Sequence, residues 1–131
     1  MTKPRILLLA TGGTIASQPT DEGLAPGLDG AALTAMLPRR TLANYEVTVR
    51  DILHMDSSNI QPEEWQIISR HVYQNRDRFD GIVVTHGTDT MAYTAAILSF
   101  MVRGIGIPVV LTGSQLPIDH PLSDGPENLR L

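Results

Sequence analysis

Asp80-Gly81-Ile82-Val83-Val84-Thr85-His86-Gly87-Thr88-Asp89-Thr90-Met91 is the stretch that decides the fold. A short apolar run, Gly81 to Val84, passes straight into hydroxyls, a carboxylate and a glycine. That is how a buried strand ends at the working edge of an open α/β sheet. Thr90 to about Arg103 then reads as a helix with Met91, Ala95 and Leu98 along one side, and Pro108-Val109-Val110-Leu111 reads as the next strand. Strand, helix and strand joined by short connections form a right-handed crossover between parallel strands. The expected fold class is α/β, a doubly wound parallel sheet with flanking helices. Ligands in such sheets bind outside the carboxyl ends of the strands, which makes the polar cluster a candidate for chemistry. The plain alternative is a strand-to-helix turn in which Thr88 or Asp89 merely caps the helix that follows.

A second cluster of the same kind weighs against that alternative. Arg5-Ile6-Leu7-Leu8-Leu9-Ala10 runs into Thr11-Gly12-Gly13-Thr14-Ile15-Ala16. Paired glycines let the backbone turn sharply and leave Thr14 unshielded. The strand from Pro108 delivers Thr112-Gly113-Ser114-Gln115 in like manner, and Met55-Asp56-Ser57-Ser58-Asn59 makes a fourth hydroxyl-rich strand end. The expectation is one shared crevice for a small polar ligand.

Composition bounds the remaining classes. With 131 residues, 42% of them hydrophobic, the chain suits one packed domain. Its formal charge is −4 and its ten basic residues are scattered, which argues against a nucleic-acid surface. The absence of cysteine excludes a thiolate nucleophile, a disulfide framework and Cys-ligated metal. No two histidines have the i, i+4 spacing of a zinc pair, so no metal is assigned. His86 suits a structural hydrogen-bonding role at least as well as an acid/base one. The basic start and the apolar run Ile6 to Ala10 look superficially like a leader, but the run is shorter than the roughly seven residues such a leader needs. It reads as a first strand in a cytoplasmic protein without a membrane span.

Between the clusters, Ser17 to Gly27 is rich in glycine, proline and acidic residues and lacks periodicity. It reads as a mobile flap over the crevice. Asp29 caps a short helix through Leu37 that Pro38 stops. Tyr45 to Asp51 alternates as a half-buried strand. Pro62 opens a helix whose Trp65, Ile68 and Val72 share a face, with Trp65 read as core. Ser123 to Leu129 reads as a cap, a proline and an acidic first turn, so a helix is starting where the sequence stops at Leu131.

Taken together, Thr11-Gly12-Gly13-Thr14-Ile15-Ala16 and Thr85-His86-Gly87-Thr88-Asp89-Thr90-Met91 make the chain resemble the bacterial L-asparaginase family, in its cytoplasmic type I branch. Met55 to Ser58, Thr112 to Gln115 and Ser123 to Gly125 fit the same pattern, and the resemblance spans essentially the whole chain. It implies hydrolysis of L-asparagine to L-aspartate and ammonia through an acyl-enzyme, without cofactor or metal. Thr14 matches the nucleophile. Thr88 and Asp89, with a lysine, match a proton relay, and Asp89 also pairs with the substrate ammonium. Asp56, Ser57 and Ser58 match the substrate-binding segment, where the serines hold the α-carboxylate. Backbone N–H groups around Thr88 and Asp89 are expected oxyanion donors, worth about 3 kcal/mol each.

Two departures accompany the resemblance. Leu24 stands where many members carry a lid tyrosine. The only lysine is Lys3, at the entry end of the first strand, about 20 Å from Thr14 by strand geometry. Residues 1–131 are therefore read as an incomplete N-terminal catalytic domain, lacking a C-terminal domain and inactive alone, from a homo-oligomer (dimer or tetramer). Alternatives are a glutaminase, the asparaginase-like component of a tRNA-dependent amidotransferase, or a non-catalytic asparagine- or aspartate-binding module.

Overall fold

The computed structural model describes residues 2–130, except the side chains of residues 24–26. Its centre is a parallel sheet of four strands: β1 (Arg5–Gly12), β4 (Glu46–Met55), β5 (Gly81–Thr85) and β6 (Val109–Thr112), in the order β4-β1-β5-β6. The helices are α1 (Gly30–Ala35), α2 (Arg39–Asn44), α3 (Pro62–Asn75), α4 (Met91–Met101) and α5 (Gly125–Asn128).

Both faces of the sheet are covered. On β1, Leu7 and Leu9 face α3 and α4 and meet Ile82, Val84, Ile68, Val72 and Leu98. Leu8 and Ala10 face the other way and meet Val83, Leu28, Leu33, Ile118 and Leu129. A strand buried on both faces needs a continuous apolar run, and that is why β1 and β5 read so plainly in the sequence. The α/β doubly wound expectation holds.

Capping residues set the helix boundaries. The Asp29 carboxylate accepts the Ala32 N–H at 2.9 Å and starts α1. Gln61 and Glu64 form a reciprocal capping box that opens α3, with Pro62 in the first turn. The first helix ends at Ala35, before the expected Leu37. Pro38 stops it and, with its φ of −55°, also starts α2, an element the sequence reading missed. Trp65 is half-buried instead of core, and its indole N–H donates to the Thr94 hydroxyl at 2.9 Å.

The expected irregular flap is corrected as well. It forms an antiparallel ribbon of β2 (Ser17–Thr20) and β3 (Gly23–Pro26). Along β2 only Ser17 is buried, so that strand leaves no alternation to read. Leu24 lies on β3, and its side chain falls outside the described residues.

One buried group lacks a partner. Thr85 is 0% exposed, and its Oγ1 makes no hydrogen bond among the described residues. Replacing an unpaired buried hydroxyl with a methyl of the same shape removes a desolvation cost of about 1 kcal/mol or more. Thr85→Val is expected to leave the urea midpoint unchanged or raise it. A clear loss of stability would show that a buried water serves this hydroxyl.

Candidate active site

The strand order decides where a crevice forms. β1 sits between β4, reached in one direction, and β5, reached in the other. The carboxyl ends of β1 and β5 flank this reversal, the place where open α/β sheets bind ligands.

Two glycines let the strand-end loops meet there backbone to backbone. Gly13 has a φ of +79°, and a Cβ added to it would lie 2.5 Å from the Gly87 nitrogen. A Cβ on Gly87 would in turn lie 2.5 Å from Ser57 Oγ. The loops after β1, β5 and β4 are thus stacked with no side chain between them. Gly13 N–H donates to the Met55 carbonyl at 3.2 Å, and the Thr90 hydroxyl donates to the Ser57 carbonyl at 2.8 Å.

The result is a cavity of about 190 Å³ lined by Gly13, Thr14, Ser17, Asp56, Ser57, Gly87, Thr88 and Asp89. Five of the six residues expected from sequence meet here: Thr14, Asp56, Ser57, Thr88 and Asp89. Ser58 stays outside the lining, because its N–H and its hydroxyl both turn back to Asp56 Oδ1, each at 2.9 Å. Those two bonds, the backbone one foremost, hold the Asp56 carboxyl below its ordinary range. Ser17 was missed as a lining residue because it belongs to the stretch read as flap. Its hydroxyl donates to the Gly13 carbonyl at 2.8 Å and braces the loop.

The expected contribution of the strand end after Leu111 is corrected. Thr112 to Gln115 does not line the cavity. Thr112 Oγ1 donates to the Asn128 carbonyl, Gln115 N–H to the Asp124 carboxylate, and Asn128 Nδ2 to the Gly113 carbonyl. These polar groups clasp the α5 segment instead of a ligand.

The strand-end threonines divide by what their hydroxyls do. Thr11 donates to the Thr85 carbonyl at 2.6 Å, and Thr90 ties two loops together. Among the described residues the Thr14 and Thr88 hydroxyls have no partner, and they share one cavity with the Asp56 and Asp89 carboxylates. Neither Thr88 nor Asp89 caps α4, whose N-cap is Thr90 without a side-chain bond. The capping alternative therefore falls. Among the described residues no cationic side chain pairs with either carboxylate, and two such groups favour the positively charged end of a ligand.

His86 is enclosed, 0% exposed, with Nδ1 2.7 Å from the Gly87 carbonyl and Nε2 2.8 Å from the Thr94 hydroxyl. Burial pushes its pKa down, against the opposing effect of the Gly87 bond. With both nitrogens occupied it serves structure, and it is not itself a lining residue of the cavity. Lys3 is exposed at the opposite edge of the sheet, where Nζ donates to the Leu42 carbonyl at 3.3 Å. A larger groove, about 620 Å³, lies between α4 and β6, but apart from Thr88 and Ser99 it is lined by apolar side chains. It lacks the convergent polar groups that chemistry requires.

Comparison with known proteins settles the family. The model of the asparaginase N-terminal domain matches residues 5–131, from the first residue of β1 onward. The chain belongs to the asparaginase family. It is 51% identical over 126 residues to the L-asparaginase of Thermococcus kodakarensis, across 96% of this chain and 38% of that protein. The solved structure of that thermostable L-asparaginase superposes with a TM-score of 0.87 over the same shares. The chain is 42% identical to L-asparaginase 1 of Escherichia coli, covering 98% of this chain and 39% of that protein. It is also 40% identical to one polypeptide of the glutamyl-tRNA(Gln) amidotransferase of Thermoplasma acidophilum, over 96% of this chain and 31% of that polypeptide. The asparaginase-family domain thus spans less than two fifths of the length of these relatives.

Proposed function

We propose that this asparaginase-family domain carries the nucleophile side of an active site that hydrolyses L-asparagine to L-aspartate and ammonia. The observation that carries the reading is the pair of unengaged hydroxyls, Thr14 and Thr88, facing one small cavity with Asp56 and Asp89. Thr14 Oγ1 attacks the side-chain amide carbon and gives up its proton as the C–O bond forms. The C–N bond then breaks and the nitrogen leaves as ammonia with that proton. Water adds to the resulting ester, Thr14 Oγ1 is re-protonated, and L-aspartate departs. Thr88 positions the amide and then the water, and Asp89 pairs with the α-ammonium group. Ser57 faces the α-carboxylate, with Ser58 acting through its hold on Asp56.

A threonine hydroxyl needs a base to take its proton. The resemblance assigns part of that role to a lysine, and the one lysine of this sequence is bonded to Leu42 at the far edge of the sheet. The 131-residue chain alone is accordingly inactive or nearly so. Its small acidic cavity suits a small amino-acid amide. The apolar run of β1 is a central strand of the sheet, which supports the cytoplasmic reading, and the α4–β6 groove suits burial in a homo-oligomer.

The test is ammonia release from L-asparagine by the chain alone and by the chain joined to the polypeptide that follows the matched segment in the Thermococcus kodakarensis enzyme. Silence in the first and turnover in the second is the expected pair. Full activity of the short chain would overturn the claim that it is incomplete. The similarity to the amidotransferase polypeptide supports a second reading, ammonia release for a partner enzyme, and dependence of turnover on that partner would favour it. Faster turnover of L-glutamine would favour a glutaminase. Binding of asparagine or aspartate that survives Thr14→Ala, with no ammonia from either preparation, would favour a non-catalytic binding module.

A further inference from the structure

The hydrogen bonds around His86 form a chain with a single direction. Trp65 Nε1–H can only donate, and it donates to Thr94 Oγ1 at 2.9 Å. At the other end the Gly87 carbonyl can only accept, and it lies 2.7 Å from His86 Nδ1. Nδ1 must therefore carry the proton. Among the described residues no carboxylate is hydrogen-bonded to the enclosed ring, so the imidazolium is disfavoured and Nε2 is bare. The Thr94 hydroxyl, 2.8 Å away, then donates to Nε2 while accepting from Trp65. Every group in the series has one arrangement open to it: Trp65 to Thr94, Thr94 to His86, His86 to Gly87.

The last link reaches the cavity. In a trans peptide the carbonyl of Gly87 and the N–H of Thr88 point in opposite directions. A Gly87 oxygen held toward the buried ring turns the Thr88 N–H away from it. That N–H has no hydrogen-bond partner among the described residues, and both Gly87 and Thr88 line the cavity. A free Gly87–Thr88 peptide could flip, presenting a carbonyl oxygen where a donor is needed. Gly87, lacking a Cβ, offers little resistance to such a flip by itself.

We propose that Thr94, backed by Trp65, is a positioning residue. Through His86 it locks the Gly87–Thr88 peptide so that the Thr88 N–H stays aimed into the cavity as the donor for a developing oxyanion. The value of that donor to the reaction rests on the amidohydrolase reading above, whereas the lock itself does not. Thr94 acts from α4, one helical turn beyond the N-cap, and is not itself a lining residue of the cavity.

The experiment is 15N NMR of the labelled 131-residue chain at neutral pH, with Thr94→Val and Thr94→Ser beside it. In the unsubstituted chain the His86 ring is expected as one neutral tautomer with the proton on Nδ1. The indole N–H of Trp65, unique because the sequence has one tryptophan, should be protected from exchange. Thr94→Val is expected to mix the tautomers, expose the indole N–H and shift the Thr88 amide resonance by more than its linewidth. Thr94→Ser, which keeps the hydroxyl, should restore all three signals. A proton on Nε2 or a charged ring in the unsubstituted chain overturns the proposal by itself, even if Thr94→Val does not fold. A Thr88 amide unmoved in a folded Thr94→Val chain overturns the lock. Absence of ammonia release from the chain completed with its relative's carboxy-terminal polypeptide, with these signatures intact, would count against the amidohydrolase reading and leave the lock standing.

Discussion

Thr14→Ala is expected to reduce ammonia release by about a thousandfold or more in the chain completed with its relative's carboxy-terminal polypeptide. Removing a covalent nucleophile leaves only binding and oxyanion stabilisation, and losses of that order are typical of such sites. The fold should be spared. Thr14 is half-buried, opens a single 3-10 turn, and its hydroxyl is engaged by no described residue, so stability should change by less than about 1 kcal/mol. Thr14→Ser keeps a nucleophilic oxygen and should retain measurable turnover. The measurement is a continuous ammonia assay beside urea unfolding of each variant. Residual turnover of Thr14→Ala within tenfold of the parent would move the nucleophile elsewhere, with Thr88 the first candidate because its hydroxyl is the other one left unengaged in the cavity.

Gly13→Ala should act through the fold, with the reverse signature. At a φ of +79° a side chain costs roughly 1–2 kcal/mol of backbone strain. Its Cβ would also lie 2.5 Å from the Gly87 nitrogen and 2.6 Å from Gly87 Cα. Those are backbone atoms at the end of a central strand, and they cannot rotate aside as a side chain can. Forced displacement of packed atoms costs roughly another 1–3 kcal/mol. A loss of about 3 kcal/mol is expected, together with separation of the β1 and β5 loops that closes off turnover in the completed enzyme. Gly87→Ala makes a control. Its Cβ would also meet fixed atoms, Ser57 Cβ at 2.6 Å, but Gly87 has no positive φ, so the loss should lack the backbone-strain part and be smaller by about 1–2 kcal/mol. Equal unfolding midpoints for Gly13→Ala and the parent would mean that the loops are not held as closely as described.

These two variants separate what local sequence specifies from what packing imposes. The apolar runs Leu7 to Ala10 and Gly81 to Val84 could be recognised as strands because a parallel strand covered on both faces has no place for a polar residue. Asp29 and Pro62 announced helix starts because a cap or a first-turn proline acts within one turn of itself. The family followed from the two threonine-bearing strand ends, and with it the residues around the cavity.

Partners that come from distant parts of the chain were not legible. Thr11, Thr14, Thr88 and Thr112 look alike in sequence, yet Thr11 is spent on the Thr85 carbonyl and Thr112 on Asn128, while Thr14 and Thr88 remain available. Ser57 and Ser58 are neighbours, and only one lines the cavity because the other folds back on Asp56. The order β4-β1-β5-β6 is likewise a property of long-range pairing, and it alone brings the β1 and β5 loops side by side while leaving the β6 end to clasp α5. By itself the sequence determined the doubly covered strands and the capped helices, though not α2 or the β2–β3 ribbon, and which residue types stand at their ends, since these depend on neighbours a few positions away. The tertiary structure decided which hydroxyls stay unengaged and which loops touch, since a hydrogen bond or a close backbone contact depends on whatever the rest of the chain places within about 3 Å.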